Sequence, residues 1–505
     1  MHFNCGHRLV LVVFLGVTIT RVAPAGAQAV SSEGAPRALT TQDYARAEQF
    51  LAANVRDLVL NGAVRPSWLA EDRFWYRNTI AEGHEFILVD AEGGTRRRAF
   101  DHERLAAALS AAADTAYTAF DLPIAELEIV EDGQSVRIEV DDETYVCDVD
   151  GQRCTVEAAG GVEVGANESV SPDGTLAAFI RDYDLWVRDL ATGEETQLTT
   201  DGEEDFGYAT DNAGWTRSDR PVLRWSPDSR KIATFQHDAR GVGDMFLVST
   251  NVGQPELEAW KYPLPGDSVI FRIERVIIDL DGPRVVRLQM PPDAHRSSLC
   301  DHVACSRGEF TDVQWFPDGS RLAFVSSSRD HKTATLRVAD ATTGAVRDVL
   351  EETVPTQFES GLNSVNWRVL PSSNEVIWFS ERDDWGNLYL YDLETGELKN
   401  RITSAPGPVI EVLHVDEDGR TVWFTGAGRE PGRDPYFRHL YRVALDGTAY
   451  ELLTPEDANH EITMSEDGRY FVDAWSRPDV PAISVLRAAE DGETLLELEQ
   501  ADISG

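Results

Sequence analysis

Ser171-Pro172-Asp173-Gly174, then Leu176 to Ile180, then Asp184-Leu185-Trp186-Val187-Arg188-Asp189-Leu190, then Thr192-Gly193 and Gln197-Leu198-Thr199 is the stretch that decides the fold. Proline fixes φ for a turn, aspartate bonds back to the turn backbone, and glycine takes a conformation other residues resist. A short apolar run follows, then an alternating one with period two, then a hairpin turn. The order turn, strand, strand, Thr-Gly turn, strand describes most of one small antiparallel sheet.

The same order recurs along the chain. Trp225-Ser226-Pro227-Asp228 leads into Lys231 to Phe235, and Trp315-Phe316-Pro317-Asp318-Gly319 into Leu322 to Val325, Leu336 to Asp340 and Thr343-Gly344. Pro371 precedes Glu375 to Phe379, Asn387 to Leu393 and Thr395-Gly396. Asp418-Gly419 and Glu466-Asp467-Gly468 open two further units. Two weaker units stand earlier, at Phe74-Trp75-Tyr76 with Glu85 to Asp90, and at Leu127 to Val130 with Ser135 to Ile138 and Tyr145 to Cys147. Each unit of about fifty residues supplies one four-stranded sheet. Such a sheet cannot bury both faces alone, so neighbours must stack. The expected fold class is therefore all-β: an eight-bladed (seven to eight) β-propeller of four-stranded blades. Helices are expected only outside the ring, over Thr41 to Leu60, capped by Thr41 or Asp43, and over His102 to Ala113. The interval from Ser226 to Phe316 is far longer than the others, so Asp238 to Cys305 must hold an insertion or extended hairpin.

Composition narrows the partners. With 46 basic and 87 acidic residues the 505-residue chain carries a formal charge of −41. Such a surface repels phosphates, which excludes nucleic acid and anionic lipid as main partners. The acids are spread along the chain, as solubility requires, and they would also attract cationic substrates. Residues 1–29 read as a signal peptide: Arg8, the apolar run Leu9 to Val17, and small residues at Ala25-Gly26-Ala27 and Ala27-Gln28-Ala29. Export to the periplasm or the extracellular space follows, with no membrane span expected in the mature chain. The domain boundaries read as 30–65 for an N-terminal helical segment, 66–490 for the propeller and 491–505 for the start of a linker.

Four cysteines remain after the signal. Cys147 and Cys154 flank a polar turn as two hairpin strands would, and Cys300 and Cys305 form a second close pair, so both are disulfide candidates. His295 and His302 beside Cys300 and Cys305 leave a zinc reading open, although the spacing matches no standard finger. No metal or cofactor is assigned. A G-x-S-x-G nucleophile elbow is missing: Ser135 and Ser268 have glycine two positions earlier but Arg137 and Ile270 two positions later. Zincin, P-loop and dinucleotide motifs are missing too. Glu203 and Glu204 remain as adjacent carboxylates that could hold a substrate amine, or serve as one more acidic loop.

Some of these residues carry a family resemblance. The Ser-Pro-Asp turns, the stretch Gly207-Tyr208-Ala209-Thr210-Asp211-Asn212-Ala213-Gly214-Trp215 through Trp225, the element Trp260-Lys261-Tyr262-Pro263-Leu264-Pro265-Gly266, and the opening Leu39 to Glu48 are similar to the propellers of bacterial dipeptidyl peptidase IV-like enzymes of the prolyl oligopeptidase family. The resemblance covers nearly everything after the signal. It implies an eight-bladed propeller joined to an α/β-hydrolase domain with a Ser-Asp-His triad, in cis or as a separate chain, and a homodimer where the hydrolase is present. The propeller would gate and position peptide substrates, with a glutamate pair on the free amino terminus. The chain departs from that pattern. No triad follows Asp502-Ile503-Ser504-Gly505, and Trp215-Thr216-Arg217-Ser218-Asp219 stands where a tryptophan should precede the glutamates. Glu203, Glu204, Trp215, Arg217 and Asp219 are the candidate substrate-binding residues. Serine-type peptidase activity belongs to the family, while this chain reads as non-catalytic on its own. The alternative is a free-standing exported propeller of TolB-like scaffold that binds a peptide or protein.

Overall fold

A computed structural model describes residues 39–504 except 56–57, 125, 131–132, 141–142, 158–163, 211–217, 251, 295–303, 306–308, 360–363 and 405. The chain divides into two units, Met1–Arg56 and Asp57–Gly505. In the first, helices run over Thr41–Glu48 and Ala52–Val55, and no residue of Thr41–Glu48 is buried. Its cap is Thr40, one residue before the earlier of the two expected positions. Thr40 Oγ1 accepts from the Asp43 amide while the Asp43 carboxylate accepts from the Thr40 amide, a reciprocal capping box.

The second unit is a β-propeller. Eight antiparallel sheets of four or five strands lie among its described residues. In chain order they occupy 67–98, 127–156, 169–197, 206–287, 313–353, 368–401, 409–452 and 459–500, and they are numbered 1 to 8 below. The last sheet takes in Thr494–Gln500, so sheet structure continues into the stretch 491–505 read from sequence as a linker. The helix His102–Ala113 forms as expected and buries Leu105, Ala106 and Leu109 against sheets 1 and 2. Among the described residues no helix is long and apolar enough to cross a membrane.

The repeated turns show why these sequences make these sheets. Asp189 accepts hydrogen bonds from the Ala191 and Thr192 amides and the Thr192 hydroxyl. Asp340 does the same with Thr342 and Thr343, and Asp392 with Glu394 and Thr395. These donors hold all three carboxylates below the ordinary aspartate range. At the same end of the strands, Ser171 and Ser226 each donate to the aspartate two residues on at 2.6 Å and accept an amide from the following strand.

Buried clusters join sheet 1 to 2, 3 to 4, 4 to 5, 5 to 6, 6 to 7 and 7 to 8. Another joins the last sheet to the first, where Phe74, Tyr76, Ile87 and Val89 meet Val472, Leu486 and Leu498. Sheets 2 and 3 share no such cluster among the described residues. Among the described residues no strand is exchanged at the junction of sheets 8 and 1. It is held by side chains instead: the Tyr76 hydroxyl donates to Glu499 at 2.7 Å, Arg96 pairs with Glu499, and Arg469 with Asp72. Leu60 and Asp502 exchange backbone hydrogen bonds beside it.

Strand order defines two faces. Turns between first and second strands, and between third and fourth, lie on one. Turns between second and third strands, and the links from sheet to sheet, lie on the other. Leu60 and Asp502 belong to this second, link face.

Candidate functional site

Sheet 4 departs most from the repeat, and the site is built there. Its first strand comes in two pieces. Phe206–Tyr208 and Arg224–Trp225 both pair with Lys231–Asp238, Tyr208 opposite Gln236 and Arg224 opposite Ala233. The chain between them loops out, pinned at its neck where the Val222 amide donates to the Ala209 carbonyl. Trp215 and Arg217 sit in this excursion and lie outside the described residues; Asp219 follows them. The expected insertion is a hairpin, Asp244–Ser249 with Glu256–Lys261, set between the second and third strands of the sheet.

On the link face the excursion and the hairpin meet sheet 3 around a cavity of about 920 Å³. Its wall includes Phe179, Asp182, Tyr183, Glu204, Asp205, Ser218, Asp219, Asp244, Trp260 and Lys261. The turn Asp182-Tyr183 shapes one side. Both residues have positive φ, 51° and 70°, as a two-residue hairpin of the mirror-image type requires. Gly202 lets the next loop settle on that turn. Its amide donates to Asp184 at 2.9 Å, and a Cβ there would collide with the Tyr183 carbonyl. The Tyr208 amide bonds the same carbonyl at 2.8 Å, fixing where the loop carrying Glu203 and Glu204 ends.

The charges are unequal. Lys261 lies 3.7 Å from Asp205 and 3.5 Å from Asp244, and Arg188 pairs with Glu168 at the rim. Asp182, Glu204 and Asp219 line the cavity with no cation at ion-pair distance among the described residues. Glu203 does not join them. It pairs with Arg240 at 3.3 Å, and the Arg240 guanidinium stacks on Phe206 and clamps Asp238. The adjacent glutamates of the sequence thus separate, and the carboxylates that line this cavity without an ion-pair partner among the described residues are Glu204, Asp219 and Asp182. Sequence reading missed Asp182, because its turn carries no glycine or proline. It missed Asp244 and Lys261, because nothing local announces which strand end reaches the cavity. Chemically, the site can hold an ammonium or guanidinium group, with aromatic walls for an attached apolar chain.

Of the cysteines, Cys147 and Cys154 form a disulfide between directly opposed strand positions. Cys300, His295 and His302 lie outside the described residues, and only the backbone of Cys305 is placed, in the strand Ala304–Cys305.

The comparisons fit this architecture. The structure of Porphyromonas gingivalis dipeptidyl peptidase 4 is similar with a TM-score of 0.60 at 18% identity, covering 89% of this chain and 61% of that one. "Probable dipeptidyl-aminopeptidase B" of Paracoccidioides lutzii is 23% identical over 65% of this chain and 37% of its own length, and its Ajellomyces dermatitidis counterpart is 24% identical over 63% and 36%. The chain thus spans little more than a third of the curated relatives it matches. The family described as dipeptidyl peptidase IV (DPP IV) N-terminal region matches residues 129–482, most of the sheets above, and the chain belongs to that family.

Proposed function

We propose that this chain is the substrate-positioning propeller of an exported dipeptidyl peptidase IV-like serine peptidase, not catalytic by itself, and that its acidic cavity holds the free amino terminus of a peptide. The observation that carries the reading is the trio Asp182, Glu204 and Asp219, three carboxylates around one cavity with no cation at ion-pair distance among the described residues. An ammonium offers three donors and a full charge, so it can bridge several carboxylates where a neutral group cannot. The cavity opens on the link face, where the chain reaches Asp502, so a hydrolase joined there or docked there would stand over it. Support for export comes from the charged, apolar, small-residue order of residues 1–29 and from a disulfide suited to an oxidising compartment.

Calorimetry with an alanyl-prolyl amide, which has an ammonium and no carboxylate, tests the reading. Binding should weaken about tenfold on N-acetylation, the loss expected for one charge-assisted contact. Glu204→Gln with Asp219→Asn should erase that difference. Equal binding of the free and acetylated forms would refute the cavity's role. Serine-inhibitor-sensitive hydrolysis of an alanyl-prolyl chromogenic substrate by the purified chain would refute the non-catalytic assignment.

A further inference from the structure

A second cavity, of about 570 Å³, lies where the first strands of sheets 3, 4 and 5 converge on the channel of the propeller: Ser169–Val170, Arg224–Trp225 and Val313–Trp315. Its lining inverts the charge of the molecule. Twelve of the described residues wall it, and none of them is Asp or Glu. In a chain with 87 acids among 505 residues, about two would be expected in such a set. The charged groups present are the guanidiniums of Arg220 and Arg224, and neither has a carboxylate at ion-pair distance among the described residues.

The indole donors and the Gln314 side chain on this wall already have partners. Trp225 Nε1 donates to Ser169 Oγ at 3.3 Å, and Trp315 Nε1 to the Arg224 carbonyl at 3.1 Å. The Gln314 amide is spent on sheet 6, its nitrogen on the Trp367 carbonyl at 2.8 Å and its oxygen on the Val369 amide at 3.0 Å. These bonds fix both indoles beside the two charged forks. A guanidinium fork matches a carboxylate bidentately, and a fixed wall limits what is lost on binding.

We infer that Arg220 and Arg224 form an anion subsite in the propeller channel for the carboxylate of a peptide, an acidic side chain or a C terminus, whose apolar portion lies along Trp225 and Trp315. This subsite does not depend on the acidic cavity being an ammonium site. Arg220 follows directly on Ser218 and Asp219 of that cavity, so one short segment borders two sites of opposite charge preference.

The test uses the full chain and indole fluorescence or calorimetry with N-acetyl-alanyl-prolyl-glutamate. Acetylation removes the ammonium, so failure here leaves the reading of the acidic cavity untouched. Saturable binding is expected, about tenfold tighter than that of the fully neutral glutamine amide analogue. It should weaken as salt rises from about 0.1 to 0.5 M. Arg224→Gln and Arg220→Gln should each lose about tenfold, and Arg224→Lys should keep part of the affinity. Both arginines are exposed, and an unchanged Tm would certify the variants as folded. Equal binding of the acidic and neutral peptides, no saturable binding, or unaltered affinity in both glutamine variants would overturn the inference. Competition by inorganic phosphate as effective as the peptide would overturn the assignment to a peptide carboxylate.

Discussion

His439, on the third strand of sheet 7, is buried beside His460 of sheet 8, with their rings 5.0 Å apart. Its Nδ1 faces the Thr454 carbonyl at 3.1 Å and so carries the proton. His460 has acceptors beside both nitrogens, Asp473 at 2.8 Å and the Glu456 carbonyl at 3.1 Å. Burial first, and the neighbouring His460 second, push the His439 pKa down to about 4. An unfolded histidine takes up its proton near pH 6.5. Between about 6.5 and 4 the unfolded chain therefore binds a proton that the folded chain refuses, and stability falls as pH is lowered through that window. His102 and His414, also held low by burial, act in the same direction. The turn carboxylates lose their stabilising charge in a lower window, below about pH 3.9. Thermal melts should show Tm declining from pH 6.5 to 4. His439→Asn, whose amide can still donate to Thr454 and cannot titrate, should flatten part of that decline; an unchanged slope would clear His439 of the effect. None of this was readable from sequence, because the two histidines stand on different sheets and their contact depends on how those sheets pack.

Turns are the elements that the sequence states most directly. Ser-Pro-Asp-Gly and Asp-x-x-Thr-Gly carry their own hydrogen-bond donors and acceptors, so their geometry is local and legible. The strands they bound, including the weak ones at Arg73–Ile80 and Leu127–Val130, follow from alternation. What the sequence hides is that the Thr-Gly glycines also space the sheets. A Cβ on Gly344 would strike the Arg287 carbonyl on the last strand of sheet 4, and one on Gly396 the Val349 carbonyl on the last strand of sheet 5. Gly492 stands in the same relation to Leu453. Gly174, in a Ser-Pro-Asp-Gly turn, has a similar positive φ of 71° but nothing within 4 Å of its added Cβ. Gly174→Ala should therefore cost about 1 kcal/mol, the price of a left-handed backbone alone. Gly396→Ala should cost roughly 2–4 kcal/mol, because two sheets must also part. Comparing their Tm values checks this, and equal shifts would argue against a spacing role. The split first strand of sheet 4 was equally invisible, since two short runs interrupted by fifteen residues do not look like one strand.

At the scale of the whole molecule, repetition made the architecture legible, and the long fourth unit marked where it would be interrupted. The sites were less so. Both cavities gather residues from different sheets, and only Glu204 and Asp219 of the five substrate-binding candidates are seen on the first of them. The ring itself was expected, but not the contacts that close it, because Tyr76, Arg96 and Glu499 are joined by side chains, with no shared strand among the described residues to betray the pairing. That junction also strips the chain of a privileged starting point. Leu60 and Asp502 are hydrogen-bond partners, at 3.0 and 2.8 Å, so a short peptide can splice them without bending any sheet. A circular permutant spliced there and cut after the exposed Ser404, in the link between sheets 6 and 7, should melt within a few degrees of the parent, as surface breaks between intact elements are tolerated. The same splice with the cut moved inside Asn387–Asp392 should not fold, since it severs a buried strand of sheet 6. Every sheet here would then be equivalent as a beginning, and the order in which the genetic message presents them a matter of history rather than mechanics.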